Sequence, residues 1–273
     1  MSRVIAIANQ KGGVGKTTTA INLGAGLAVA ERRTLIVDMD PQGNATSGLG
    51  IERGSMPASM YDVLVDGVGL ESALVEAVHL PFLDVALSSQ DLVGAELELV
   101  NRADREQSLR RALGPIRDRY GYVLVDCPPS LGLLTLNTLA AADTVLIPIQ
   151  CEFYALEGLS QLLNTVMLVQ QNLNPALEIE GVLLTMFDQR LNLSRQVADE
   201  AKEYFGDRVF RSIIPRNVRL AEAPSFGKPI VLYDILSAGA QSYLALAREV
   251  IARDEGRAAR VAPSMAARGA DRR

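Results

Sequence analysis

The chain has no tryptophan, one histidine, two cysteines and only 5% aromatic residues among its 273 positions. The histidine, His79, has no acid-base partner suggested by the surrounding sequence, so we expect a surface or boundary residue. Cys127 and Cys151 lie at the ends of predicted strands, without the C-x-x-C or histidine spacing of a zinc site. This pattern favours reduced thiols, so neither a disulfide nor a zinc centre is expected.

Long apolar runs are also missing. No run reaches the roughly 18 apolar residues that a membrane-spanning helix needs. The chain enters a strand pattern by residue 3, without the features of a signal peptide. We therefore expect a cytoplasmic protein with no membrane partner. The remaining composition is that of a globular protein, with 48% hydrophobic and 22% charged residues and a net charge of −5.

Short apolar runs recur along the chain, and most gaps between them contain a helical pattern. This alternation predicts an α/β fold: a doubly wound, mostly parallel sheet flanked by helices. The predicted strands are 3–8, 34–38, 82–86, 122–126, 144–149, 180–186 and 209–214. The predicted crossover helices are 107–119, 131–141, 155–173, 193–205 and 239–252.

The composition changes after residue 252. Residues 253–273 are small and polar, rich in arginine and alanine, with almost no large apolar residue. We therefore expect one domain over residues 1–252 and a disordered tail over residues 253–273. Six arginines and three acids give the tail a net charge of +3, which leaves −8 on the acidic domain.

A glycine- and lysine-rich stretch, NQKGGVGKTT, occupies residues 9–18, directly after the first predicted strand. Gly15, Lys16 and Thr17 fit the end of the P-loop pattern G-x-x-x-x-G-K-[ST]. In that pattern backbone N–H groups cradle phosphates, the lysine reaches the terminal phosphates, and the hydroxyl ligates Mg²⁺. Gln10 replaces the first glycine, and a second lysine, Lys11, lies inside the loop, so this is a deviant form.

The context of the loop supports nucleotide binding. A β-rich strand precedes it and a helical pattern follows it, so the N-terminus of the helix adds partial positive charge. A simple glycine-rich turn needs neither element. The predicted loop ligands of the nucleotide are Lys11, Gly12, Gly13, Val14, Gly15, Lys16, Thr17 and Thr18.

Two predicted strands end in carboxylates. Strand 34–38 leads to Asp38 and Asp40, and either should face the phosphates, because ligands gather at the carboxyl ends of parallel strands. We choose Asp40 to orient the attacking water, although the DPQGN sequence also fits a simple turn. Asp126 ends strand 122–126 and is expected to hold Mg²⁺ through water. The predicted metal set is Thr17, Asp40 and Asp126, and the predicted catalytic set is Lys11, Lys16 and Asp40.

Several segments together resemble the ParA family, specifically its short Soj-type chromosome-partitioning ATPases. They are KGGVGKTT, DMDPQGN, DCPPS with LGLLTLNTL, CEFYALEGL, and IPRNVRLAEAPSFGKPI. KGGVGKTT alone is shared with the wider ParA/MinD superclass, whereas the last two segments are narrower. The resemblance covers about residues 1–250.

The resemblance implies an ATP-sandwich homodimer with ATP or ADP and Mg²⁺ as cofactors. Lys16 would bind its own nucleotide, while Lys11 would cross to the nucleotide of the partner. Such a protein is a slow ATPase switch, stimulated by a ParB-type centromere-binding partner and associated with the nucleoid. By the same resemblance, the adenine would lie near Met186, Pro215 and Asn217, and Glu152 would lie towards the partner subunit.

The resemblance further implies nonspecific binding to double-stranded DNA. Arg190 and Arg219 occupy the matching positions, and Lys202 and Lys228 are weaker candidates. Residues 188–228 contain eight lysines and arginines against six acids, which is only a modest excess. A solvated helix face would explain the same arginines, and composition alone does not predict DNA binding.

Three other functions use a similar loop. A MinD-like membrane- or scaffold-positioning ATPase, which we keep as the alternative, ends in an amphipathic helix with large apolar residues. Residues 253–273 contain no Leu, Ile, Phe or Trp. A nitrogenase-type iron protein holds a cluster between cysteines of two subunits, and Cys127 directly after Asp126 is in the wrong place for this. A metabolic kinase would need an acceptor-substrate pocket, which nothing in the sequence marks.

Overall fold

The computed structural model describes residues 2–52, 54–152 and 157–270. Within these ranges seven strands form one sheet in the order β3-β4-β2-β5-β1-β6-β7. Every neighbouring pair is parallel except β3 and β4. The predicted doubly wound, mostly parallel sheet is confirmed. The strands are β1 Arg3–Ile7, β2 Thr34–Asp38, β3 Leu74–Val75, β4 Leu83–Ala86, β5 Tyr122–Asp126, β6 Thr144–Gln150 and β7 Glu178–Thr185.

Helices cover both faces of the sheet. The α-helices of the described ranges are α1 Lys16–Val29, α2 Asn44–Gly48, α3 Leu92–Leu99, α4 Ser108–Leu113, α5 Leu133–Ala141, α6 Glu157–Asn172, α7 Asn192–Phe205, α8 Val218–Glu222, α9 Ile230–Tyr233 and α10 Ala238–Ala270. The predicted helix 107–119 is split, because Gly114 and Pro115 follow α4 and a short 3₁₀ turn covers Arg117–Arg119. The first residues predicted for helix 155–173 lie outside the described ranges.

Each central strand is buried on both faces, as its continuous apolar sequence predicts. Val4 and Ala6 of β1 join a core that includes side chains of α4, α5 and α7. Ile5 and Ile7 point the other way, into a core built with α1 and α10. The carboxyl ends of β1, β2 and β5 therefore meet at one edge, where ligands bind in folds of this type.

The predicted strand 209–214 is wrong as a regular strand. Its backbone follows β7, since Phe210 N–H donates to Val182 O at 2.9 Å and Ile214 N–H donates to Leu184 O at 2.9 Å. Between these two contacts, the backbone N–H groups of Arg211 and Ser212 both donate to the Glu249 carboxylate at 2.9 Å. A side chain of α10 thus takes the donors that a continuous ladder would use. The sequence also gave no sign of β3, which is two residues long.

The last helix does not end at residue 252, where the sequence places the start of a tail. It continues to Ala270, since alanine and arginine are good helix formers. Arg253 pairs with Glu249 at 2.8 Å, and Arg257 pairs with the buried Glu180 at 2.8 Å. The first residues of the predicted tail therefore belong to the packed helix. The division of the chain near residue 252 and the disorder beyond it stay predictions.

Candidate functional site

The loop between β1 and α1 has the backbone that its glycines allow. Gly13 and Gly15 have φ angles of +74° and +89°, in the left-handed region that favours glycine. The Thr185 hydroxyl of β7 donates to Val14 O at 2.9 Å and fixes the loop to the sheet. Apart from its chain neighbours, no described residue has an atom within 4 Å of an ideal Cβ placed on Gly12 or on Gly13. The outer side of the loop is therefore open.

Beside the loop lies a cavity of about 630 Å³, within the range of small-molecule and cofactor sites. The P-loop and the first turns of α1 form one wall. Asp40, α2 and the turn after β5 form another, and Met186 and residues 223–228 complete it. The lining residues are Gly12, Gly13, Gly15, Lys16, Thr17, Thr18, Ile21, Asn22, Asp40, Gln42, Asn44, Ser47, Gly48, Pro129, Met186, Ala223, Pro224, Ser225 and Lys228.

Lys16 is the buried cation of this cavity, with only 7% of the residue exposed. Its ammonium donates to Lys11 O at 3.2 Å. Burial lowers the pKa of Lys16, and the carboxylates of Asp126 and Asp40 act in the opposite direction. A desolvated ammonium at a helix N-terminus gains strongly from an incoming phosphate, because the local dielectric is low.

The structure decides between Asp38 and Asp40. Asp38 is fully buried and accepts hydrogen bonds from the backbone N–H and the hydroxyl of Thr46, both at 2.8 Å. Burial raises its pKa to about 6. Its oxygens are thus used inside the fold, to hold α2 against β2. Asp40 lines the cavity, and one of its carboxylate oxygens accepts the backbone N–H of Gln42 at 2.9 Å.

Asp126, at the end of β5, is completely buried, and neither carboxylate oxygen has a hydrogen-bond partner among the described residues. Burial raises its pKa well above the ordinary value and the Asp38 carboxylate adds to the rise, whereas the nearby Thr17 hydroxyl and the Lys16 ammonium oppose it. Buried carboxylates are rarely left without a partner, so this one fits a hydrated cation. A magnesium ion on a nucleotide keeps several waters and needs only one or two protein ligands. Thr17 and Asp126 therefore suit Mg²⁺, although the described residues contain no cluster of three or more acidic, histidine or cysteine ligands.

Lys11 is not among the lining residues of this cavity, although its carbonyl oxygen accepts from the Lys16 ammonium. Its side chain is 35% exposed, and its ammonium lies 4.0 Å from the Glu152 carboxylate. Arg216 approaches the same carboxylate at 3.4 Å. The structure thus brings Lys11 and Glu152 together at the surface, where ion pairs contribute little.

The three predicted adenine residues are placed differently. Met186 lines the cavity in a left-handed conformation, with φ of +51°. Pro215 forms a single bridge with Phe187, and the Asn217 side chain caps α8 by accepting Leu220 N–H at 3.3 Å. Neither Pro215 nor Asn217 lines the cavity, so their contact with a base stays a prediction.

The candidate DNA residues carry acidic partners. Arg190 is 86% exposed and makes a two-pronged contact with Asp188, which lowers the pKa of that carboxyl to about 2. Arg219 pairs with Glu222 at 3.0 Å and with Asp234 at 3.5 Å. Lys202 is exposed on α7. Lys228 lines the cavity beside the P-loop, and its contact with DNA stays a prediction.

Sequence reasoning did not identify several residues of the cavity wall. Asn22 of α1 lines the cavity, donates to Thr18 O at 2.8 Å and accepts Ile230 N–H at 2.7 Å. An asparagine in an otherwise apolar part of this helix was the available signal. No such signal marks Asn44 and Ser47 of α2, or Ser225. The path of the chain after α8 decides which segments meet α1.

The chain matches the family model described as an AAA domain over residues 2–179. It is 60% identical over 254 residues to the chromosome partitioning protein ParA of Myxococcus xanthus, covering 93% of this chain and 89% of that protein. It is 59% identical over 252 residues to the sporulation initiation inhibitor protein Soj of Bacillus subtilis, covering 92% and 99%.

Two solved structures share the fold. A Mycobacterium smegmatis structure titled cobyrinic acid a,c-diamide synthase, with ADP and magnesium, has a TM-score of 0.79 at 40% identity, covering 91% of this chain and 93% of that one. MinD of Pyrococcus horikoshii with Mg-ADP has a TM-score of 0.77 at 25% identity, covering 92% and 96%. The P-loop, the strand-end carboxylates and these matches agree: the chain belongs to the ParA/Soj family of chromosome-partitioning ATPases.

Proposed function

We propose that this chain is an ATP-dependent dimeric switch that binds nonspecific DNA and segregates chromosome origins. It hydrolyses ATP to ADP and phosphate slowly, under the control of a ParB-type centromere-binding protein, and it associates with the nucleoid. The observation that carries the proposal is the position of the Lys11 side chain, whose ammonium lies 4.0 Å from the Glu152 carboxylate and which is not among the lining residues of the cavity. A loop lysine placed in this way is useful where phosphate charge approaches from a second subunit.

Gly12 supports the same arrangement. Its neighbourhood is open, because an added Cβ would meet no atom within 4 Å among the residues that the structure describes, apart from its chain neighbours. It is also not among the glycines with positive φ. The fold of the single chain therefore does not require glycine here. Close approach of a second copy against the loop requires glycine, since a side chain would keep the two backbones apart.

Within one subunit each residue has a distinct task. Lys16 binds the phosphates of the subunit's own nucleotide, and the N-terminus of α1 adds its partial positive charge. Thr17 and, through water, Asp126 would hold Mg²⁺, which supplies neutralisation of the charge that develops on the phosphates. Asp40 orients the attacking water from the cavity wall. Met186 and the residues around it receive the base.

Slow hydrolysis fits the carboxylates present. Asp38 is engaged by Thr46, and Asp126 lies buried below the cavity, so Asp40 is the strand-end acid that lines it. One Asp40 oxygen already accepts the Gln42 N–H, so part of its hydrogen-bonding capacity is used within the fold. A switch needs a long-lived ATP state more than rapid chemistry, and a partner protein then sets the timing.

DNA contact would use Arg190 and Arg219, which exchange their acidic partners for phosphates. The exchange is feasible because both ion pairs are at the surface, with the arginine side chains 86% and 54% exposed. A dimer doubles the number of arginines that face one duplex. The MinD-like alternative places the ATPase on a membrane or scaffold instead. Among the helices of the described ranges, none is long and apolar enough to cross a bilayer.

The first test is the oligomeric state, measured by light scattering after gel filtration. Without nucleotide or with ADP we expect a monomer, and with ATP and Mg²⁺ a dimer. Lys11→Ala should still bind ATP but remain a monomer. Arg119→Ala is the matched control, because Arg119 makes a similar exposed ion pair with Glu76 elsewhere on the chain. A Lys11→Ala variant that dimerises like the wild type would contradict the proposal.

A further inference from the structure

The only histidine of the chain bridges two segments that are distant in sequence. The Nε2 atom of His79 lies 2.9 Å from Leu49 O and 2.7 Å from Gly227 O. Both partners are carbonyl oxygens, so Nε2 carries the hydrogen and donates to both. His79 itself belongs to the turn between β3 and β4, and it adopts a left-handed conformation with φ of +59°. This conformation is uncommon for a residue other than glycine.

The two bridged segments are walls of the nucleotide cavity. Leu49 directly follows α2, which contributes Asn44, Ser47 and Gly48 to the lining. Gly227 lies inside the 223–228 segment, which contributes Ala223, Pro224, Ser225 and Lys228. His79 is not a lining residue of the cavity. It thus contacts the outside of two walls whose inner sides face the ligand.

The walls also meet each other directly. A Cβ on Gly227 would lie 2.6 Å from Gly50 Cα, and one on Gly50 would lie 3.1 Å from Gly227 O, so both positions need glycine. Both residues have positive φ, +72° for Gly50 and +63° for Gly227. A contact made of two glycines has no side chains to hold it in place. The imidazole bridges Leu49 O and Gly227 O beside this contact, and it adds a hydrogen-bonded link to the packing of Leu49 and Ala223 in one buried cluster.

The chain just beyond the 223–228 segment has its own anchor. The Asn22 side chain accepts Ile230 N–H at 2.7 Å, in a buried position. Asn22 belongs to α1, which starts at the P-loop. The end of the segment is therefore held twice, at Gly227 by His79 and at Ile230 by the helix that carries the phosphate loop. Without the His79 bridge, the link between this segment and the end of α2 would rest on packing, such as that of Leu49 and Ala223 in one buried cluster.

The geometry points to His79 as a positioning residue for nucleotide affinity. By clamping the α2 end to the 223–228 segment, it holds Ser225 and Lys228 at the cavity in the absence of ligand. The nucleotide then does not have to order this wall when it binds, and such preorganisation increases affinity. The inference rests on the proposed function in one respect, since it requires that the cavity is the nucleotide site.

A simpler role for His79 would be to stabilise the β3–β4 turn. The two roles predict different results. His79 is exposed, so its replacement is not expected to disturb the core. A turn stabiliser would change the melting temperature of the nucleotide-free protein. A positioning residue would change nucleotide affinity while the melting temperature stays almost constant.

The experiment titrates a fluorescent ADP analogue, mant-ADP with Mg²⁺, into the full-length chain and compares four variants with the wild type. His79→Ala removes the donor. His79→Gln places an amide N–H near the position of Nε2 and should restore the bridge. Glu76→Ala is the matched control in the same turn, because it loses a contact with Arg119 and touches neither wall. Lys16→Ala is the control for the site itself.

We expect His79→Ala to weaken mant-ADP binding by about three- to tenfold, the effect of losing one hydrogen-bonded bridge. Turnover at saturating ATP should change by less than about twofold, since His79 touches no reacting atom. His79→Gln and Glu76→Ala should bind like the wild type, and all of these variants should melt within a few degrees of it without nucleotide.

Equal affinities in His79→Ala and wild type would overturn the positioning role while leaving the proposed function intact. So would a loss of affinity that His79→Gln does not restore, or one that accompanies a large fall in the nucleotide-free melting temperature. If the wild type and Lys16→Ala both failed to bind mant-ADP, the cavity would not be the nucleotide site. The proposed function and this inference would then both be wrong.

Discussion

The carboxylate of Asp38 accepts two hydrogen bonds from Thr46, one from its backbone N–H and one from its hydroxyl, each 2.8 Å long. Asp38 ends β2 and Thr46 lies in α2, so this pair fixes a cavity wall to the sheet. The adjacent Asp40, two residues further on, is left to face the cavity. Neighbouring acids thus have separate tasks, one structural and one towards the ligand.

Thr46→Val should destabilise the fold. The valine keeps the shape of threonine but removes the hydroxyl that donates to the buried Asp38 and accepts Ser88 N–H at 3.2 Å. Leaving such buried groups without a partner costs about 1–3 kcal/mol. We expect the free energy of unfolding in urea to fall by this amount at pH 7. Ser47→Ala is the control. It removes the hydrogen bond from the exposed Ser47 hydroxyl to Gly43 O and should change the free energy of unfolding less.

Asp38 should also make stability depend on pH. Burial raises its pKa from 3.8 to about 6, so the folded protein binds this proton more tightly than the unfolded chain does. Stability contributed by the protonated form is fully present below about pH 4 and is lost as the pH rises to about 6, by up to roughly 3 kcal/mol.

The comparison that isolates this effect is urea unfolding of the wild type and Asp38→Asn between pH 4 and pH 7. The asparagine cannot ionise, while its amide oxygen still accepts from Thr46. The stability of the wild type relative to Asp38→Asn should therefore decrease with rising pH and level off above about pH 6. A difference that is constant with pH would show that Asp38 does not titrate in this window.

Gly12→Val should separate folding from dimerisation. Apart from the chain neighbours of Gly12, no atom of the described residues lies within 4 Å of the added Cβ, so the fold of the monomer should be kept. The ATP-dependent dimer should be lost, because the valine side chains project where the second copy approaches. Gly12→Ala adds a smaller group and should give an intermediate loss. If Gly12→Val forms the ATP dimer at wild-type concentrations, the loop is not the dimer contact.

Asp40→Ala should trap the ATP state. The variant keeps Lys16 and Thr17 for binding but lacks the acid that orients water at the cavity wall. Phosphate release should fall by about 10²-fold or more, in line with the loss of general acid-base assistance, while the ATP dimer persists. Asp38→Asn is the comparison, since Asp38 faces Thr46 rather than the cavity. Hydrolysis by Asp40→Ala at the wild-type rate would show that its assigned role is wrong.

The sheet and the phosphate loop could be predicted because local sequence patterns determine them. The runs ending at Asp38 and Asp126 are continuous apolar strands, and Gly13 and Gly15 of the P-loop have positive φ angles, which favour glycine. Strand 209–214 failed for a non-local reason, since its N–H groups go to Glu249, almost forty residues later. The arrangement of Asp38 with Thr46 also needed the structure, because both acids of the DMD sequence looked equivalent.

The far wall of the cavity could not be predicted from the sequence. The sequence predicts Lys228 as a weak DNA contact within a mildly basic stretch, and it does not predict that the turn after α8 brings Lys228 to the cavity beside the P-loop. His79 looked like a boundary residue, which its exposure supports, but its contacts with Leu49 O and Gly227 O join three segments of the chain. Such contacts depend on how loops meet in space, and no local sequence pattern predicts them.

The central claim is that ATP switches DNA binding on, and the direct test is binding to random-sequence duplex DNA with ATP, ADP or no nucleotide across a salt series. Arg190→Ala and Arg219→Ala are compared with the wild type, and Arg119→Ala serves as a control arginine whose partner is Glu76. Each phosphate contact adds about 0.9 to the slope of log affinity against log salt, so each loss in a dimer should lower the slope by about 2.

The account predicts tight, salt-sensitive binding with ATP alone, lost in both test variants and kept in Arg119→Ala. Equal binding in all three nucleotide states would contradict the switch. No binding in any state would contradict the DNA function and favour a membrane- or scaffold-positioning member of the superclass.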